Sequence, residues 1–160
     1  MKPLISPSDF PSASTFCYLN AANVSLTYNK AKMANEKWFE DVSLNGSNNF
    51  TEKKEESAFD QLHKTAADFV RAEPYEIAGG SSATELLASL AWSISPKKGE
   101  NIVSTSSAFP STVYPWSRVA ATTGAEMRLA DSKKGFSTTD AIRSLIDDNT
   151  SVVCISHTEF

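Results

Sequence analysis

Cysteine is scarce in this sequence. Only Cys17 and Cys154 occur in 160 residues. They lie far apart, without a CxxC spacing, which excludes a disulfide framework and a metal knuckle; both are expected as buried, reduced thiols. Histidine is equally rare, with His63 and His157 alone, and no Ser-His-Asp arrangement can be argued from their spacing. No run approaches the ~18 apolar residues that a membrane span needs. The opening MKPLISPSDFPSAS has one lysine and no apolar stretch of leader length, so the cytoplasm is the expected compartment and no membrane the expectation. Positive charge is also in deficit. Fifteen Lys and Arg face nineteen Asp and Glu, for a net charge of -4. The basic residues are scattered, so there is no electrostatic footprint for nucleic acid. A small molecule or a protein is the expected partner.

What remains is an ordinary globular composition, 41% hydrophobic and 21% charged, enough for one domain with a buried core. Residues 1–28 read as an arm rich in Pro and Ser, with one apolar patch at Phe16-Cys17-Tyr18-Leu19. Residues 29–72 read as helical. A first helix spans 29–44, with Met33, Trp38, Phe39 and Val42 as its apolar contacts and Asn45-Gly46 as its stop. A second spans 51–72, with Phe59, Leu62, Ala66, Phe69 and Val70 on one face. From residue 73 onward short apolar runs alternate with helical stretches. Strands are predicted at 76–79, 101–105, 125–130 and 151–156, and helices at 82–95, 111–123 and 137–148. A βαβαβαβ run of this kind predicts an α/β fold with a mostly parallel sheet between helical layers. Asp140, Asp147 and Asp148 are expected as solvated charges on the last helix.

Two segments carry candidate chemistry. Ala78-Gly79-Gly80-Ser81-Ser82-Ala83-Thr84-Glu85 lies between a strand and a helix. Its glycines permit a tight turn, and Ser82 with Glu85 three residues later forms a capping box. The amides of Ser82, Ala83 and Thr84, with the hydroxyls beside them, face the positive end of the helix dipole and make a phosphate cradle. The same residues also suffice simply to cap a helix. The absence of a following lysine excludes a Walker loop, and GxGxxG is not matched. The second segment, Ser106-Ser107-Ala108-Phe109-Pro110-Ser111, follows the next strand and opens at the same sheet edge. Phe109 is placed to stack on a flat heterocycle. Tyr114 and Trp116, further along, are expected as core anchors. His63, within the second helix, is expected as a surface or boundary residue, and His157 at a strand end where ligand contacts gather.

Taken in order, these segments resemble the class V, fold-type I pyridoxal-phosphate enzymes, a group that includes cysteine desulfurases, kynureninase and isopenicillin-epimerase-like proteins. The resemblance runs from Tyr18 to the end of the chain. Tyr18-Leu19-Asn20-Ala21-Ala22 looks like the family's "YL(D/N)xAA" opening, which implies that Asn20 and Ala21 lie near the substrate carboxylate. Ser82-Ala83-Thr84-Glu85 looks like the "GTTE" or "GATE" loop. By that resemblance Ser82, Ala83 and Thr84 hold the phosphate of pyridoxal 5'-phosphate. Phe109 stands where desulfurases carry a ring-stacking histidine, and "FPS" is closer to the kynureninase and epimerase side. Ile155-Ser156-His157 is similar to the "SHV" strand end beside the pyridine ring.

The resemblance implies a three-layer α/β/α large domain beginning near residue 73, an amino-acid substrate and a homodimer. It also implies an aspartate for the pyridine nitrogen and a Schiff-base lysine, both expected beyond Phe160. The chain is therefore expected to be truncated and inactive alone. The alternatives are a non-catalytic α/β binding or interaction module and a nucleotide-binding α/β domain.

Overall fold

The computed structural model describes residues 6–131 and 138–158. The chain forms two compact units, Met1–Phe59 and Asp60–Phe160. No helix among the described residues is long and apolar enough to cross a membrane.

The first unit opens with two single 3-10 turns, Pro7–Asp9 and Pro11–Ser14, each with proline at its start, where a missing N–H is no loss. Helix α1 spans Asn29–Asn45 and stops at Gly46. There a φ of 57° favours glycine, and the Gly46 amide closes on the Val42 carbonyl at 2.8 Å. Asp41 gathers the loop that follows. Its Oδ1 accepts from the side-chain amides of Asn45 at 2.7 Å and Asn49 at 2.6 Å. These bonds, Asn49's foremost, hold the Asp41 carboxyl below its ordinary pKa. Helix α2 is only Glu52–Glu56.

The expected single helix over 51–72 is thus two helices. Glu-Lys-Lys-Glu-Glu has no apolar face to bury, and Ser57 turns its hydroxyl back to the Lys53 carbonyl at 2.9 Å. Such local bonding competes with helix continuation. Helix α3, Asp60–Val70, follows in the second unit. Its predicted apolar face is largely uncovered: Phe69 is 87% exposed, and Ala67 is the helix's buried residue. Met33, Trp38 and Phe39 of α1 are likewise exposed, and Val42 is half-buried.

The second unit continues with α4 (Ala83–Ile94), β1 (Asn101–Thr105), α5 (Pro110–Thr123), β2 (Glu126–Ala130), α6 (Thr138–Arg143) and β3 (Thr150–Val153). The strands form one parallel sheet in the order β2-β1-β3. Ile102 pairs with Met127 on one side and Val152 on the other, with a register shift beside Asn101. Every residue of β1 is buried, as a central parallel strand covered on both faces requires. Helix α5 carries the chain from β1 to β2, whereas α6 lies between β2 and β3 on the far side of β1. Right-handed crossovers then put α5 and α6 on opposite faces, giving three layers. The core on the α5 face joins Ala91, Ile102, Trp116, Val119 and Ala120, with Met127, Val152 and Cys154 against it.

Several expectations are corrected here. Residues 76–79 make no strand: Pro74–Glu76 is a 3-10 turn, and Ile77, though extended (φ -99°, ψ 125°), has no ladder partner among the described residues. The last helix ends at Arg143 rather than 148, and its predicted first residue, Ser137, lies outside the described residues. The last strand starts at Thr150 and its ladder ends at Val153. Trp116 is 1% exposed, but Tyr114 is 69% exposed. Two residues apart on a helix, they project to opposite sides, so one helix cannot bury both. Cys17 is exposed in an irregular segment, and Cys154 is half-buried; both are free thiols.

Asp147 is not a simple solvated charge. It ties the amino ends of β1 and β3 to the middle of β2. Its Oδ1 accepts from the Asn101 side chain at 2.8 Å, and its Oδ2 from Arg128 at 2.6 Å. Arg128 also holds Glu126 at 2.8 Å and donates to the Leu145 carbonyl at 3.0 Å. The Thr150 hydroxyl completes the set by donating to Asn101 at 2.8 Å, so the buried Asn101 amide is satisfied. The Arg128 contact, then Asn101, lowers the Asp147 pKa to about 2 from 3.8. As pH falls the unfolded chain takes up this proton first, so the contribution is complete above about pH 4 and drains away towards pH 2. Asp147→Asn should lower the thermal midpoint at pH 7 by several degrees and flatten its decline between pH 4 and 2. Thermal melts across that range check this.

Candidate functional site

The direction of the helices builds the site. Helix α4 leads within a few residues into the amino end of β1, so it runs antiparallel to the strand, with its own amino end at the sheet's carboxyl edge. Helix α5 starts from the carboxyl end of β1 and runs the same way. The two pack side by side through Ala91, Trp116 and their neighbours. Their amino termini, at Ala83 and Pro110, therefore share one edge of the sheet. Open α/β sheets place ligands at this edge.

At the first of these termini, Ser82 is the N-cap. Its extended backbone (φ -160°, ψ 157°) precedes Ala83, its Oγ accepts from the Glu85 amide at 3.2 Å, and its carbonyl accepts the Leu86 amide at 3.2 Å. The expected capping box is only half present. The Glu85 carboxylate reaches one residue further than predicted, to the Ser81 amide at 2.8 Å and the Ser81 hydroxyl at 2.5 Å. The Ser81 hydroxyl foremost, then its amide, lowers the Glu85 pKa. The amides of Ser82, Ala83 and Thr84 and the Thr84 hydroxyl have no hydrogen-bond partner among the described residues, and all three residues are exposed. Unpaired donors at a helix amino terminus suit an anion with several oxygens.

The glycines serve a different purpose from the expected one. Neither Gly79 nor Gly80 has a positive φ. At Gly80 a Cβ would meet the Leu86 side chain at 2.8 and 2.9 Å, so any other residue there requires Leu86 to shift. Sequence reading missed this contact, and it also missed Ser81 as the partner of Glu85. The i, i+4 spacing of Ser81 and Glu85 was the available signal.

At the second terminus Phe109 is the N-cap residue of α5, with Pro110 at N1, and the residue is 51% exposed. The Phe109 carbonyl accepts the Thr112 amide at 2.9 Å. His157 follows β3 at the same edge and is exposed. Of the predicted residues, the fold thus brings Ser82, Ala83, Thr84, Phe109 and His157 to one edge of one sheet. Asn20 and Ala21 belong to the first unit, in an exposed turn where the Asn20 carbonyl accepts from Asn23 at 3.2 Å. His63 is half-buried on α3. Glu159 and Phe160, at the end of the strand-end motif, lie outside the described residues. Among the described residues no group of three or more His, Cys, Asp or Glu could hold a metal ion.

Comparison with solved structures finds the same fold in a lysine-to-alanine mutant of C-DES with glycine covalently linked to the PLP cofactor. The match has a TM-score of 0.81 at 17% identity and covers 98% of this chain. It spans 42% of that chain, so the present sequence is less than half as long as its structural counterpart. No curated protein matches the chain at a significant level. Among family models, aminotransferase class-V matches residues 17–159, which includes both helix termini at the carboxyl edge and the sheet between them. On that match over nearly its whole length, the chain belongs to the class-V aminotransferase family.

Proposed function

We propose that this chain provides the phosphate-cradling part of a pyridoxal 5'-phosphate site in an enzyme that transforms an amino acid. The carrying observation is the row of unpartnered donors at Ser82, Ala83 and Thr84, set beside the Phe109 terminus. Ala83 and Thr84 bind phosphate through their amides, Thr84 also through its hydroxyl, and Ser82 fixes the helix start that presents them. Phe109 stacks on the cofactor ring. His157 and, from the first unit, Asn20 and Ala21 are the proposed substrate-side residues. When bound, the cofactor supplies an electron sink for bonds broken at the amino acid's α-carbon. Transamination, desulfuration, elimination and epimerisation all fit that chemistry. The protein is proposed to act in the cytoplasm as a homodimer, the commonest closed assembly.

The fit of the residues to the cofactor supports this reading. No positive side chain follows the loop, as it would in a nucleotide-triphosphate site, so the phosphate is met by dipoles and hydroxyls. Replacing Phe109 by alanine should weaken pyridoxal 5'-phosphate binding by about three- to tenfold, the stacking contribution of one aromatic ring. Equilibrium dialysis against the cofactor tests it. Unchanged affinity would leave Phe109 as a packing residue and remove the ring-stacking half of the proposal.

A further inference from the structure

The phosphate reading leaves one charged group unexplained. Glu85 puts a carboxylate on the first turn of the helix that is to receive an anionic phosphate, and like charges placed together weaken binding. The geometry resolves the conflict. The Glu85 Oε2 is turned back onto Ser81, taking both its amide at 2.8 Å and its hydroxyl at 2.5 Å. The Glu85 amide is in turn held by the Ser82 hydroxyl at 3.2 Å. Residues 81–85 are thus closed by three hydrogen bonds whose donors are Ser81, twice, and Glu85. None of the three uses an amide of Ser82, Ala83 or Thr84. The closure fixes the loop while leaving the cradle's donors unspent. Gly80 lies close over Leu86, so a Cβ there would displace the Leu86 side chain.

Resting on the proposed phosphate site, we propose that Glu85 is a positioning residue for the cofactor phosphate. It acts through Ser81, fixing the loop so that the amides of Ser82, Ala83 and Thr84 stay free for the phosphate and its own carboxylate is kept off them. An ordinary helix cap would stabilise α4 and nothing more. A positioning role has a distinct signature: it changes affinity for the phosphate-bearing cofactor and not for pyridoxal, which has the same ring without the phosphate.

The test is equilibrium dialysis of the chain, and of its Glu85→Ala and Glu85→Gln variants, against pyridoxal 5'-phosphate and pyridoxal, with far-UV circular dichroism of each. For the unaltered chain the phosphate-bearing ligand binds more tightly. In Glu85→Ala that preference falls about fivefold, the scale of one lost capping bond, with pyridoxal affinity unchanged. In Glu85→Gln, which keeps an acceptor oxygen for Ser81 and drops the charge, the preference stays within about twofold of the original or rises. A preference that survives in Glu85→Ala, or an equal loss for both ligands, overturns the role of Glu85 and leaves the cradle standing. No preference in the unaltered chain overturns the cradle itself. If Glu85→Ala has lost helix content, Glu85→Gln decides alone, and a fivefold fall there overturns the proposal.

Discussion

Replacing Trp116 by alanine will destabilise the second unit by about 3–5 kcal/mol, the usual cost of removing a buried tryptophan. The indole is 1% exposed and joins α5 to α4 and to the sheet through Ala91, Ile102, Val119 and Ala120. No neighbour in that set is large enough to close the space. The Trp116 Nε1–H makes no hydrogen bond of ordinary geometry among the described residues. Beside it, burial pushes the Cys154 thiol pKa up, against a smaller downward pull from the Trp116 indole. A domain of this size has about 5–15 kcal/mol in hand, so the variant will sit near the edge of folding. Tyr114→Ala, two residues away and 69% exposed, should cost no more than about 0.5 kcal/mol. Urea melts followed by far-UV circular dichroism separate the two; equal effects would place the α5 core elsewhere.

Tryptophan and tyrosine two residues apart show where sequence reading stops. Periodicity says that α5 has an apolar face, and the neighbours decide which side that is. The elements legible from sequence are those whose signals are local. Strand β1 is a short run rich in β-branched residues (Ile102, Val103 and Thr105), α4 begins at a serine N-cap, and α5 ends at Gly124, whose φ of 83° favours glycine. That residues 76–79 form no strand was not legible because a strand needs a partner, and the extended dihedrals of Ile77 alone form no ladder among the described residues. The clamp of Asp147, Arg128 and Asn101 joins residues distant in sequence, so no local pattern announces it. Helix α3 misleads for the opposite reason: its apolar periodicity is real, yet Phe69 and Leu62 are exposed among the described residues. In the site, the order of segments pointed to Ser82, Ala83, Thr84 and Phe109, while the hydrogen bonds of Glu85 and the fit of Gly80 against Leu86 required coordinates.

The central claim is that backbone amides at the start of α4 bind the cofactor phosphate, and a single backbone donor can be removed to test it. Ala83 is the first residue of the helix, where proline is well tolerated. Ser82 before it already has the extended conformation that a residue preceding proline prefers, at φ -160° and ψ 157°. Ala83→Pro should therefore leave the helix intact while deleting one N–H from the cradle. A hydrogen bond to a charged group contributes about 1.5–3 kcal/mol, so the affinity for pyridoxal 5'-phosphate should fall about ten- to a hundredfold. The deciding measurement is the dissociation constant of the Ala83→Pro chain for pyridoxal 5'-phosphate, taken beside its far-UV circular dichroism. A loss of at least about tenfold with an unchanged spectrum is the predicted result; an unchanged affinity with the amide gone would contradict it.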